Sequence, residues 1–317
     1  MFHTEYKNKF GLPSNILPEF LAVKNDLRKI VRCTINSYEL KTVEEVCQKF
    51  GLFISAKTYD ELFKGVSIQV TKTEINKISS QKLFIYITKN FDLIEQVFNI
   101  ERVRTKDSAI KTGQLFQYPE CCINFEVDPT CNPEHEYIFK NNENMNTKSY
   151  IYTKYNKDSF SFYLNNFLLF LNNQVSPFYL ISHYPCNYNC EKSKVYAKKL
   201  LTIIDSEEPL LGKLMRKYLK LPVVFFDDSH LLESEKDENK GFVAEGEING
   251  NSLYKKDLHS LRKYRDFGWR FNFADRITFE KNKIIFFKRI FGNNFLQIGK
   301  QKKQTEFDGL LINFVDE

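Results

Sequence analysis

Leu83-Phe84-Ile85-Tyr86-Ile87-Thr88 is the stretch on which the reading of the fold turns. It is a short, mostly apolar run rich in β-branched and aromatic side chains, the pattern of a strand buried on both faces. Immediately after it, Phe91 to Val103 carries apolar residues at helical spacing. Before it, Pro18 to Arg32 has helical periodicity at Phe20, Leu21, Leu27, Ile30 and Val31. Thr42 can cap a second helix, with Glu44 and Glu45 in its first turn and Gly51 at its end. Leu52 to Ser55 and Val66 to Thr71 read as further strands. Helices and strands alternate, so the N-terminal part is expected to be a mixed α/β region.

Gly51 to Thr58 has the length of a phosphate-binding P-loop but carries Ala56 where the second glycine belongs. A P-loop follows a strand and opens a helix; here the helix comes first, and the segment reads as a plain strand. The chain contains no G-x-G-x-x-G, so a dinucleotide site of the Rossmann type has no support.

Further along, Lys111 to Val127 reads as a short helix, a break at Pro119 and a second helix start. Asn141 to Asn146 marks a surface loop. Near Ser159 a helix is expected, with Phe160, Tyr163, Leu164, Phe167, Leu168 and Leu171 on one core-facing side. Phe178 to Ile181 reads as a short buried strand, followed by a helix to Ile204 and another from Leu210 to Leu219. From Leu221 the texture changes to short strands: Val223–Phe226, Gly241–Ile248, Arg276–Glu280, Lys283–Phe287, Phe295–Ile298 and Gly309–Phe314. The expected fold is α+β or α/β, with a mixed α/β region, a helical cysteine-bearing region and a mostly antiparallel β region in that order. Two domains are expected, residues 1–220 with both cysteine motifs and residues 221–317.

The totals fit this picture. A chain of 317 residues with 42% hydrophobic content has material for a packed core, and its length exceeds what one core usually spans. A formal charge of +6 permits nucleic acid without arguing for it. No run reaches the roughly 18 apolar residues of a membrane span, and the start lacks signal-peptide order, so a cytoplasmic protein is expected. In a reducing compartment, seven irregularly spaced cysteines point to free thiols or ligands rather than disulfides.

Four of those cysteines fall in two similar settings, Tyr118-Pro119-Glu120-Cys121-Cys122 and His183-Tyr184-Pro185-Cys186-Asn187-Tyr188-Asn189-Cys190. Each sits just after a proline and just before a helical pattern, where unpaired N–H groups favour thiolate. Asn187 or Asn189 is the expected cap of the later helix, with Cys190 in its first turn. Cys186 and Cys190, with three residues between them, can reach one ion. Cys121 or Cys122 would complete a thiolate set, with His183 an alternative fourth ligand. Adjacent residues at a helix start diverge by about 100°, so only one of Cys121 and Cys122 is expected to join, leaving the other as redox partner or nucleophile. A thiolate-rich set suits Zn or an Fe–S cluster. Ser193 stands where a radical-SAM motif needs its third cysteine, which excludes that chemistry.

The remaining candidates are weaker. Cys33 and Cys47 read as core thiols on the apolar sides of helices, and Cys131 lies in a proline-flanked loop. His135 lies between two glutamates, and Asp227-Asp228-Ser229-His230 makes an acidic turn. Lys255, Lys256, His259, Arg262, Lys263 and Arg265, with Tyr264, Trp269 and Phe271, form a basic aromatic tract that could meet a nucleic-acid backbone.

The two cysteine motifs, with the strand and helix from Leu83 to Val103, resemble a prokaryotic family of uncharacterised proteins, domain-of-unknown-function family 483. Its members typically carry Gly-Tyr-Pro-x-Cys-Cys and His-x-Pro-Cys-x3-Cys. The likeness covers roughly Leu83 to Ile204, and Gln117 stands here in place of the usual glycine. It implies that both motifs belong to one site and brings no established activity.

The expectation is therefore a cysteine-ligated metal enzyme acting on a small molecule or peptide, by sulfur, redox or metal-assisted chemistry, with Cys121, Cys122 and His183 as catalytic candidates. A metal-stabilised binding protein for nucleic acid or a protein partner, and a metal-free thiol catalyst, are the alternatives.

Overall fold

The computed structural model describes residues 8–58, 82–103, 105–127, 160–166, 177–186 and 188–221, and beyond them the backbone of the strands between 223 and 315. Val66 to Thr71, Cys131, His135, the Asn141–Asn146 run, Asn187, His230 and the part of the basic tract from 261 to 271 lie outside the described residues.

The run quoted first is β3 (Lys82–Thr88), the centre of a three-stranded antiparallel sheet ordered β1 (Ile30–Asn36), β3, β2 (Phe53–Thr58). Ile30 and Phe53 both lie opposite Thr88. Because successive side chains on a strand point to opposite faces, β3 feeds two cores. Ile85 and Ile87 pack into the larger one with α1 (Leu17–Lys24), α2 (Leu40–Lys49), α6 (Glu191–Glu207) and α7 (Pro209–Tyr218). Tyr86 enters the other, with Ile30, Phe116 and the Ile94 and Val97 face of α3 (Phe91–Glu101). All three of Ile85, Tyr86 and Ile87 are fully buried. The strand is thus covered on both faces, as its sequence indicates, within an antiparallel sheet.

The first helix is shorter than its periodicity predicts. It ends at Lys24, where Asn25 and Asp26 turn the chain. Asp26 takes φ 59°, and Leu27 N–H returns to the Ala22 carbonyl at 2.8 Å. This left-handed close suits Asp better than most residues. Ile30 and Val31, read as helical, instead begin β1, and Cys33 lies on that strand, still in the core. Cys47 is on α2 and buried as expected, and Gly51, at φ 68°, closes that helix in the same left-handed way.

The helix expected near Ser159 does not form over its described part. Phe160–Ser161 make the short strand β4, Phe162–Leu164 one 3₁₀ turn, and Asn165 and Asn166 leave the helical path. The asparagines are the cause. Fully buried, they spend their amides on distant carbonyls: Asn165 on Leu219 at 2.8 Å, and Asn166 on His183 at 3.0 Å. Phe178 to Ile181 is buried, as predicted, but pairs with no strand among the described residues.

Beyond Leu221, β5 (Val223–Asp227), β6 (Gly241–Asn249), β7 (Ser252–Ser260), β8 (Arg276–Glu280), β9 (Lys283–Ile290), β10 (Asn294–Ile298) and β11 (Asp308–Ile312) form an antiparallel sheet ordered β10-β9-β8-β7-β6-β5-β11. The last strand, β12 (Phe314–Val315), pairs parallel with β4. Strand β7 was not legible: Leu253 and Leu258 stand an odd number of residues apart, which breaks period-two alternation. The break matches a register shift opposite Glu245 and Gly246.

Candidate metal centre

The first cysteine pair is positioned by α4 (Lys106–Leu115) and α5 (Glu120–Val127). Helix α4 closes in a Schellman turn, with Tyr118 N–H on the Gly113 carbonyl at 2.9 Å and Gln117 N–H on Gln114 at 3.0 Å. That turn requires a left-handed residue, and Gln117 supplies it at φ 56°. Its side-chain oxygen accepts Lys29 N–H at 2.6 Å, an anchor that glycine lacks. Pro119 then starts α5, accepting N–H bonds from Cys122 and Ile123 at 2.9 and 3.0 Å.

Gly113 lets the two helices meet. A Cβ there would lie 2.8 Å from Ile123 Cγ1, closer than carbon atoms approach. Arg28 seals the same corner. Its guanidinium, buried between the rings of Tyr118 (4.6 Å) and Tyr196 (4.3 Å), donates to the Phe116 carbonyl at the end of α4. Burial opposes its charge, but Tyr196, Glu19 and Tyr118 outweigh that and raise its pKa.

The second pair comes from the bend at Cys186 and the start of α6. Cys190 is itself the N-cap of that helix, at φ −61° and ψ 110°, rather than a first-turn residue. Asn189 is engaged elsewhere, accepting Ser161 N–H at 3.1 Å.

The two motifs meet. The sulfurs of Cys121, Cys122, Cys186 and Cys190 all lie within 4.8 Å of one another, a set that could hold a metal ion. Cys121 lies 4.0 Å from Cys122 and 3.6 Å from Cys190, and Cys122 lies 3.8 Å from Cys190. The backbone N–H of Cys186 points at the Cys122 sulfur from 3.3 Å. Both adjacent cysteines therefore take part, contrary to the divergence expected of helix neighbours. The reason is their place in the first turn: Cα–Cβ bonds tilt toward the helix N-terminus, so both sulfurs can reach a point beyond its end.

His183 does not join the four sulfurs. It is buried, its Nε2 sits 2.9 Å from Ser193 Oγ, and its ring lies against Tyr118 at 4.8 Å. Ser193 Oγ is in turn 3.3 Å from the Cys122 sulfur, so the residue that departs from the radical-SAM pattern links His183 to the cluster.

The thiols differ sharply. Hydrogen bonds from Cys122, Cys186 and Ser193 hold Cys190 well below the usual thiol range, against the effect of burial. Bonds to Cys186 and Cys190, with burial, push Cys122 far up. Cys186 rises to about 12; its bond with Cys122 opposes the shift, and Cys190 and burial outweigh it. One thiolate is therefore stabilised within a nest of neighbouring S–H donors. Cys33 and Cys47 show the contrasting behaviour of core thiols, pushed up chiefly by burial, Cys47 to about 12.

A cavity of about 460 Å³ opens beside the cluster, with Cys122 and His183 in its wall. The α4 face from Thr105 to Phe116 and Ile123 and Val127 of α5 line it, and Arg32 and Glu101 stand at its edge. Of the residues that line it, only Tyr118, Cys122, His183 and Tyr184, which belong to the two cysteine motifs, stand out in the sequence. Arg32 reads as the last residue of the first helix until β1 and α3 are placed side by side.

No helix among the described residues is long and apolar enough to cross a membrane. The chain matches no known family, no curated protein and no solved structure.

Proposed function

We propose that the four cysteines hold one tetrahedral metal ion, zinc by preference, and that this centre builds one wall of a small-molecule site. The mutual spacing of the sulfurs carries the reading. A Zn–S bond of about 2.3 Å sets the edge of a four-thiolate tetrahedron at about 3.8 Å. The three separations among Cys121, Cys122 and Cys190, at 3.6, 3.8 and 4.0 Å, bracket that edge, and Cys186 lies within 4.8 Å of each. A four-iron cluster holds its cysteine sulfurs further apart, because each lies outward of its own iron, so a single ion fits better. Four thiolates fill a tetrahedral shell, and such closed sites are structural in the first instance. Here the ion would clamp the start of α5 to the start of α6 across a long intervening chain.

In the enzymatic form of this reading, Cys122 is the metal-ligating sulfur that faces a bound molecule, with His183 held beside it through Ser193. Catalysis would need one sulfur to yield its place, and half-buried Cys121 and Cys186 are the accessible ones. Cobalt substitution tests the ligand set: loading with Co(II) should give thiolate charge-transfer bands and the visible spectrum of a tetrahedral four-sulfur site. A pale octahedral spectrum would remove the reading.

A further inference from the structure

The cavity beside the sulfurs has a chemistry of its own. Along it the side chains run in order from a charged edge to the Cys122 end. The Arg32 guanidinium is 5.9 Å from the Phe116 ring, Phe116 lies 5.6 Å from Tyr118, and Tyr118 lies 4.8 Å from His183. At the charged edge Arg32 Nη1 meets Glu101 Oε1 at 2.7 Å. Tyr86, buried beneath, donates to the other oxygen of Glu101. The carboxylate is thus fixed from below, whereas the Arg32 side chain remains 40% exposed.

From this arrangement we infer that the cavity binds a small zwitterion of the α-amino-acid type, its carboxylate on Arg32, its ammonium beside Glu101, and its apolar side chain along Phe116, Ile123 and Val127. The volume of about 460 Å³ suits a molecule of metabolite size. Adjacent opposite charges on the protein favour a ligand whose own charges are adjacent. A plain carboxylate on Arg32 would face Glu101, and a plain amine beside Glu101 would face Arg32. The inference extends the proposed function by naming the ligand class, and it rests on that reading only for what lies at the Cys122 end.

Isothermal titration of the full chain tests it, using L-phenylalanine and L-leucine against hydrocinnamate and phenethylamine, with metal content measured on the same preparation. A zwitterion should bind at least tenfold more tightly than either singly charged analogue, and Arg32→Met should abolish that preference. Ala109→Trp, at an exposed cavity-lining position, should block binding while leaving the melting transition intact. Equal affinity for the analogues, no binding of any amino acid at millimolar concentration, or unimpaired binding by the Trp variant would overturn the inference. Each of these results can occur with metal bound, and zwitterion binding without metal would count against the metal reading alone.

Discussion

Replacing Gly113 by alanine should destabilise the protein and loosen the proposed metal centre together. In an open helix the change would be favourable by about 1 kcal/mol, because alanine restricts the unfolded chain and suits the helix. Here the new methyl group would sit 2.8 Å from Ile123 Cγ1 and 3.1 Å from its Cδ1. Ile123 is 6% exposed and β-branched, with one strongly preferred χ1 rotamer in a helix, so it cannot turn aside. Relief has to come from α4 and α5 moving apart. Overpacking of this kind costs about 1 to 3 kcal/mol, which outweighs the propensity gain and leaves a net loss of about 1 kcal/mol. Because Cys122 adjoins Ile123, the displacement carries the first sulfur pair away from Cys190. Urea unfolding should show the loss, and chelator competition should show faster metal release. Combined with Ile123→Ala, the substitution should be milder than the sum of the two, by about 1 kcal/mol of coupling. A Gly113→Ala protein as stable as the parent, with unchanged metal retention, would refute the close approach of the two helices as the device that positions Cys121 and Cys122.

Three other outcomes follow from the same geometry. Gln117→Val should lose about 2 kcal/mol in thermal unfolding, since a β-branched residue resists the left-handed turn, whereas in Gln117→Gly relief of about 1 kcal/mol offsets the lost Lys29 bond; equal melting of the two variants would contradict this. Arg28→Met should cost about 3 kcal/mol by leaving Glu19 and the Phe116 carbonyl without their cation, and near-neutral behaviour in urea would count against it. Glu207 is held down to about 2, first by its bond from Lys24 and then by that from Lys9. A depressed carboxylate contributes stability in full above its ordinary pKa of 4.5 and loses it as pH falls toward 2, so Glu207→Gln should narrow the gap between melting temperatures at pH 6 and pH 3. The Lys24 pair is partly covered and the Lys9 pair more open at the surface, so the effect should be modest and diminish in salt.

Much of the fold could be read because its signals are local. The β3 run, the Gly51 helix end and the Pro119 break all state their structure within a few residues. What escaped depends on distant partners. Nothing near Asn165 and Asn166 says that their amides will meet Leu219 and His183, so the apolar period around them reads as a helix. Ile30 and Val31 fit the period of α1 until the left-handed turn at Asp26 starts a strand. At the site, the proline-cysteine settings and the pairing of the two motifs were legible, but the helix-start argument did not separate Cys122, which is pushed up, from Cys190, which hydrogen bonds from Cys122 and Cys186 hold down. The convergence of both Cys121 and Cys122 was not, because angular divergence on a helix says little about residues that reach past its end. The link from His183 through Ser193 to Cys122 required the start of α6 to be placed against α5, which no spacing along the chain encodes.

The central claim is that one ion sits among four sulfurs, and the most direct measurement is the metal content of the anaerobically purified chain by mass spectrometry, alongside Cys186→Ser with Cys190→Ser. The account predicts one metal ion per chain, zinc foremost, lost in the double variant. A metal-free native protein, or full retention by the variant, would contradict it.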